Sequence, residues 1–410
     1  MGGVNTAPEM ERMTDMRVYA DQAATTSLSK TALEAMLPWM TENFGNPSAL
    51  YEEGRTARDA VETAREKIAH LLHAKAKEIY FTSGGTEADN WALQMAAAAG
   101  ARIGKKHIIV SAIEHHAVLN PAKSLERQGF RVTYLPVTSE GLVLPEALEA
   151  AICPDTALVS VMYANNEIGS ILPIAEIGAV CRKHHVLFHT DAVQAVGHIP
   201  ISVKNDNIDM LSLSAHKFHG PKGIGVLYAK KGVRLTSLIA GGAQERGKRA
   251  GTENIPAILG MAAALQDACD HMEENTRHCL ELRERLIAGL SKIPHSVLNG
   301  DREHRLPSNV HFCFEGIEGE SLLLLLDQKG ICASSGSACT SGSLDPSHVL
   351  LAIGRPHEIA HGSLRLSLGE ENTMAEVDYM LQAIPEVVAY LRHMSPVWRD
   401  LESGKKSFLL

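Results

Sequence analysis

Between about Tyr19 and Leu265, short apolar runs alternate with longer stretches in which apolar residues return every three or four positions. The runs Glu78–Thr82, His107–Ser111, Arg131–Pro136, Leu158–Tyr163, Leu187–Thr190, Met210–Ser214 and Gly225–Tyr228 predict strands, and Arg55–His73 and Glu87–Ala98 predict helices between them. Such alternation predicts an α/β fold, a mostly parallel seven-stranded sheet flanked by helices. The pattern then changes. Residues 261–292 predict one long helix ending before Ile293-Pro294, followed by strands at Asn309–Phe314 and Ser363–Ser367 and helices at Gly319–Lys329 and Met374–His393. This reads as a smaller α+β domain. The expected division is a large domain over 18–265 and a small one made of 1–17 and 266–410, with 1–17 a polar lead-in lacking an apolar signal core.

Composition narrows the field. A chain of 410 residues that is 45% hydrophobic can bury two cores. A net charge of -9 argues against a nucleic-acid surface, which needs a basic patch. No run approaches the roughly 20 apolar residues that span a bilayer, so no membrane association is expected. The seven cysteines are odd in number and scattered, with no C-x-x-C pair, which fits a reducing, cytoplasmic setting.

Candidate chemistry gathers where predicted strands end. Ser212 to Gly223 places Lys217 directly after His216 and before a glycine-rich turn, with Ser214 also within reach of an anion beside the lysine. A lysine so placed can hold an aldehyde cofactor such as pyridoxal phosphate (PLP) covalently; Lys222 is the rival lysine. Asp191 ends a buried strand and is read as leading into a helix. There it could keep a pyridine nitrogen protonated, although an N-cap is the commoner task of such an Asp. Gln194 follows three residues later. The turn Ser83-Gly84-Gly85-Thr86 runs into a helix, a place for a phosphate or simply a tight turn. His115, past the strand ending at Ser111, could stack on a ring or be an ordinary satisfied histidine. Residues 332–343 are too rich in Ser and Gly to pack a core and read as a mobile loop exposing Cys339, whereas Cys332 reads as a buried thiol. Arg365, in mid-strand, is either salt-bridged or a planar clamp for a carboxylate. The pairs His115-His116 and His184-His185 lack metal-ligand spacing, and no metal is expected.

Taken together, Asp21–Thr26, Gly45–Ser48, Thr82–Glu87, Asn165–Gly169, Ser214–Lys217, Arg249–Asn254 and Ser334–Ser341 make the chain resemble, nearly end to end, the cysteine desulfurases of the NifS/IscS type. These belong to the class V aminotransferase group of PLP enzymes with transferase fold type I. The resemblance implies Lys217 as the Schiff-base lysine, Asp191 under the pyridine nitrogen, Gln194 on the phenolate oxygen, and His115 stacked on the ring and moving protons. It implies Gly85, Thr86, Ser214 and His216 around the phosphate, with Thr252 reaching it from the partner subunit of a homodimer. It further implies Arg365 as the clamp for the substrate carboxylate, Asn166 helping there and at the cofactor, and Cys339 as the nucleophile that takes sulfur from L-cysteine. An iron–sulfur scaffold or another sulfur acceptor is the implied protein partner. Gln22, Ala49, Tyr51 and Gly85 depart from the usual family pattern. Two other readings stand beside this one: a selenocysteine lyase or related PLP-dependent β-eliminating enzyme, and a PLP-fold protein without turnover that relays sulfur. The Ser-Gly-Ser-Ala-Cys loop favours the desulfurase, and the intact set Lys217, Asp191, His115, Arg365 and Cys339 speaks against the silent relay.

Overall fold

A computed structural model describes residues 16–336 and 346–410. These residues form two compact units, one of Thr25–Asn165 with Ser170–Glu273, the other of 16–24, Asn166–Gly169 and the described part of Glu274–Leu410. The first strand, β1 (Val18–Tyr19), belongs to the smaller unit, although the pattern groups it with the larger one. Its partner is β11 (Ile331–Cys332), parallel to it in a two-stranded sheet, and that partner belongs to the smaller unit.

The larger unit holds seven strands: β2 (Ile79–Thr82), β3 (His107–Ser111), β4 (Arg131–Leu135), β5 (Thr156–Ser160), β6 (Leu187–Asp191), β7 (Met210–Ser214) and β8 (Gly225–Ala229). They lie in the order β2-β8-β7-β6-β5-β3-β4, and only β8 runs against the rest. The mostly parallel sheet is as expected. Strands β3, β5, β7 and β8 are buried along their whole length, which is why they read as continuous apolar runs rather than alternating ones. The helix Gly85–Ala101 turns Trp91, Ala92, Met95 and Ala96 into a core shared with Ile108, Val110, Leu158, Met210 and Leu227.

Three expectations shift. Strand β5 begins earlier than the apolar run suggested and ends at Ser160, yet Val161 and Tyr163 still donate to the carbonyls of His189 and Asp191, so the chain goes on beside β6. After Asp191 comes a succession of turns through Gly197 rather than a helix. The single long helix is two, Ile255–Asp270 and Met272–Leu290, because His271 (φ -103, ψ 5) leaves the helical region.

In the smaller unit, β9 (Ser296–Leu298), β10 (Asn309–Phe314) and β12 (Ser363–Ser367) form an antiparallel sheet in the order β12-β10-β9. The helix Met374–Met394 opens on a capping box between Thr373 and Glu376, which satisfies donors that the first turn leaves orphaned. It buries Met380, Ile384 and Val388 in a core with Phe312, Phe314, Leu364 and Leu366. No described helix is long and apolar enough to cross a membrane.

Candidate active site

Strands β2, β3, β6 and β7 run the same way, so their carboxyl ends share one edge of the sheet, the edge where open α/β sheets bind ligands. Each end delivers a residue that the sequence singles out. After β2, Gly84 (φ 150) takes a backbone conformation that favours glycine, and the following helix starts at Gly85. A Cβ on Gly84 would lie 3.6 Å from Ser214 Oγ, and one on Gly85 only 2.6 Å from Val193 Cγ2, so glycine keeps this helix start close to β7 and to the turn after β6. Thr86 is exposed beside them.

At the end of β3, His115 caps the helix His116–Arg127, its Nδ1 accepting from the Ala117 N–H at 3.1 Å. That bond assigns the ring proton of the neutral form to Nε2. Asp191 closes β6. Its Oδ1 accepts from the Val193 N–H at 2.9 Å, so the bland capping task is also performed. Burial pushes its carboxyl up to about 6, held back by the Val193 N–H and the Lys217 charge. At the end of β7, Ser214 is buried and a 3-10 turn carries Ala215–Lys217. His216 faces Thr25 Oγ1 at 3.1 Å; burial and the charges of Lys217 and Lys222 push it down to about 4, leaving a neutral ring. Lys217 is half-buried, its carbonyl bonded to His198 Nε2 at 2.9 Å, and its charge is felt at Asp191. Lys222 is exposed. Gln194 is buried and Thr252 exposed.

Behind Asp191 lies a buried polar layer that motif reading misses. Asp89, on the inner face of the helix Gly85–Ala101, is held well above the carboxylate range by burial and by Asp191, and bonds to both Asp191 and Ser212. The neutral form is therefore favoured, and Asp89 donates its proton to Asp191. His189, two residues back on the same face of β6, spans Ser160 Oγ at 2.8 Å and Ser212 Oγ at 2.9 Å, and burial pushes it down to about 3. Glu114 accepts from Ser111 Oγ at 2.5 Å and the Met162 N–H at 2.7 Å, and burial pushes it up to about 8. Two signals could have found this layer. Asp89 occupies an apolar-periodic position of its helix, and His189 shares a period-2 face with Asp191.

In the smaller unit, Arg365 is 1% exposed. Its Nη2 donates to Asp21 Oδ1 at 2.7 Å and its Nη1 to the Asn166 carbonyl at 3.0 Å, while Nε has no partner. Ser334 pairs with Arg365 through the backbone and donates its hydroxyl to Asp21 Oδ2 at 2.9 Å. Further on, Ser347 Oγ donates to Glu167 Oε2 at 2.5 Å. Cys339, between these anchors in sequence, lies outside the described residues. Cys332 is half-buried rather than buried.

The donor set fits PLP. A glycine-shaped helix start beside Ser214 offers N–H groups and a hydroxyl to a phosphate. A buried carboxylate raised to about 6 gains from a cationic pyridine N–H. A half-buried lysine stands at the same sheet edge.

Known proteins agree. The model of the family described as Aminotransferase class-V matches residues 18–380. A protein of Methanosarcina thermophila called cysteine desulfurase IscS is 59% identical over 93% of this chain and 94% of its own. One of the same name from Clostridium botulinum is 55% identical over 95% and 99%. A solved structure titled NifS-like protein superposes with a TM-score of 0.87 at 42% identity, covering 92% of this chain and 100% of that one. On this likeness, which spans most of the sequence, the chain belongs to the class-V aminotransferase family.

Proposed function

We propose that Lys217, His115 and Cys339 carry out the reaction of a PLP-dependent cysteine desulfurase, which turns L-cysteine into L-alanine and leaves the sulfur as a persulfide on the enzyme. The observation that carries this reading is the convergence of Lys217, Asp191, His115 and the Gly84-Gly85 helix start on one sheet edge, in a chain 59% identical to a cysteine desulfurase.

Lys217 Nζ holds the cofactor. Asp191 would keep a proton on its ring nitrogen, with Asp89 behind it, Gln194 would bond its phenolate oxygen, and Asn166 would help to hold it. Gly85, Thr86, Ser214 and neutral His216 hold its phosphate, and Thr252 contributes to the phosphate site of the partner subunit in a homodimer. Bound there, PLP supplies an electron sink for bond changes at the amino acid's α-carbon.

Arg365 takes the substrate carboxylate with Asn166 beside it; its Nε, buried and without a partner, is the donor left for an anion. With substrate bound, Lys217 would be the amine that takes the α-proton. His115, with its proton on Nε2, moves the proton at the thiol end. The Cys339 thiolate attacks the substrate sulfur: an S–S bond forms, the C–S bond breaks, and the electron pair left on carbon ends in a C–H bond of alanine. The larger unit is the PLP-binding domain and the smaller one carries the Cys339 loop. The persulfide then passes to an acceptor, an iron–sulfur scaffold being the acceptor expected, in the cytoplasm.

The test is alanine and sulfide formed from L-cysteine by the holoenzyme with a thiol reductant present. Equal amounts of both over many turnovers are expected, and Cys339→Ala should keep the cofactor yet lose sulfur transfer. Normal sulfide release by that variant would remove Cys339 from its role. Faster turnover of L-selenocysteine, with L-cysteine inert, would overturn the desulfurase reading in favour of the lyase.

A further inference from the structure

The opposite edge of the same sheet carries a second convergence of reactive side chains. Strands β4, β3 and β5 are parallel neighbours, so their amino ends lie together, away from the edge that bears Lys217. His107 opens β3, Arg131 opens β4, and Cys153 and Asp155 sit in the turn that leads into β5. Cys153 Sγ is 3.1 Å from His107 Nδ1 and 3.0 Å from Asp155 Oδ1, and all three ligand atoms lie within 4.8 Å of one another.

We propose that His107 Nδ1, Cys153 Sγ and Asp155 Oδ1 form a three-ligand site for a thiophilic divalent cation of the zinc class, with a fourth position open to water. Zinc takes just this mixture of S, N and O donors, at bonds of about 2.0–2.3 Å. Tetrahedral ligands at those bond lengths stand about 3.2–3.6 Å apart. The two pairs at Cys153, at 3.1 and 3.0 Å, therefore have to open by a few tenths of an ångström.

Three further features favour a cation here. First, one is already present. Arg131 Nη2 donates to Cys153 Sγ at 2.8 Å and to Asp155 Oδ1 at 3.1 Å, so its guanidinium lies against both of these ligand atoms. The side chains of that ion pair are 54% and 45% exposed, so Arg131 can swing into water when a divalent ion takes its place. Second, the charges close: one thiolate, one carboxylate and a neutral imidazole balance a divalent cation, the thiol proton leaving to solvent. Third, the imidazole is held from behind. His107 Nε2 lies 2.8 Å from Thr133 Oγ1, and a proton on Nε2 donated to that hydroxyl leaves the Nδ1 lone pair facing the sulfur. Thr156 Oγ1, 2.8 Å from Nδ1 and accepting from the Cys153 N–H at 2.9 Å, ties the turn to the histidine.

The site is tested with Zn²⁺ and Co²⁺ added to holoenzyme carrying Cys339→Ala, which removes the thiol proposed as the nucleophile. Equilibrium dialysis should give one tightly held zinc per chain. Cobalt should give tetrahedral ligand-field bands in the red, clear of the cofactor's absorbance. Zinc should also slow alkylation of Cys153, read by peptide mass spectrometry. Adding Cys153→Ser should weaken binding at least about 100-fold, and Thr133→Val, which removes the hydroxyl behind the imidazole, by about 10- to 100-fold. Asp155→Asn, half-exposed and safe for folding, is the second ligand variant and should also lose the tetrahedral signature. Binding unchanged in Cys153→Ser and Asp155→Asn, or no zinc bound by the parent, overturns the proposal.

Discussion

Arg365, buried, and Asp21, half-buried and 344 positions away in sequence, form an ion pair 2.7 Å long. The guanidinium also spans to the Asn166 carbonyl, so its plane is fixed before any ligand arrives. Arg365→Lys keeps the charge but loses the fork, and a charge-assisted hydrogen bond is worth about 1.5–3 kcal/mol. KM for L-cysteine should rise about 10- to 100-fold with a smaller change in kcat. Asp21→Asn should act on the same constant and also cost about 3 kcal/mol of stability, since it strands a buried cation. Steady-state kinetics and denaturant melts read the two effects. An unchanged KM in both variants would remove Arg365 from carboxylate binding.

Lys217 and Lys222 are separable by chemistry. Borohydride treatment of the holoenzyme should fix the cofactor to the peptide containing Lys217, as read by mass spectrometry. Lys222→Ala, an exposed position, should leave that adduct and the turnover rate within about twofold. Lys217→Ala should abolish the adduct and lower the rate by at least about 100-fold. An adduct surviving at Lys222 sinks the assignment.

Glu114 gives the cofactor-free protein a characteristic dependence on pH. Its folded carboxyl is raised from 4.5 to about 8, chiefly by burial. A raised carboxyl binds its proton more tightly folded than unfolded. Its contribution to stability is therefore fully present below about 4.5 and is lost as pH rises through about 8. Asp191, raised from 3.8 to about 6, acts in the same direction at lower pH. Urea melts of the cofactor-free protein should show stability falling across this window, by up to about 1.4 kcal/mol per pH unit for each group. Glu114→Gln should flatten the upper part of the curve. A stability that climbs from pH 5 to 8 is the opposite sign and would falsify the account.

Gly85 meets Val193 across the site. Gly85→Ala puts a Cβ 2.6 Å from Val193 Cγ2 and should cost about 1–3 kcal/mol, with weaker cofactor retention. Val193→Ala removes the obstructing methyl, so the double variant should recover most of that loss. Additive losses in the double-mutant cycle would show that the two residues do not crowd each other.

The parallel sheet was legible because buried strands announce themselves as apolar runs, and Lys217, Asp191, His115 and the Gly84-Gly85 turn were legible because each follows such a run. What lies behind them was not. Asp89, His189 and Glu114 reach the site from inside the core, where a polar residue leaves only a gap in an apolar pattern. The ion pair of Arg365 with Asp21 joins residues 344 positions apart, and no local spacing encodes it. His107, Cys153 and Asp155 meet through strand order, a tertiary fact. The break at His271 was missed because two amphipathic helices in succession have the periodicity of one.

The pairing of Asp21 with Arg365, and of β1 with β11, bears on how the chain is made. The ribosome releases Asp21 early, yet its partner follows 344 residues later. Residues 18–21 must therefore wait, unpaired, while Thr25–Asn165 and Ser170–Glu273 can already collapse around their own sheet. Contacts so distant in sequence form more slowly than local ones. The carboxylate clamp proposed here is thus finished only once Arg365 has been made, and a chain terminated before that residue has no completed clamp.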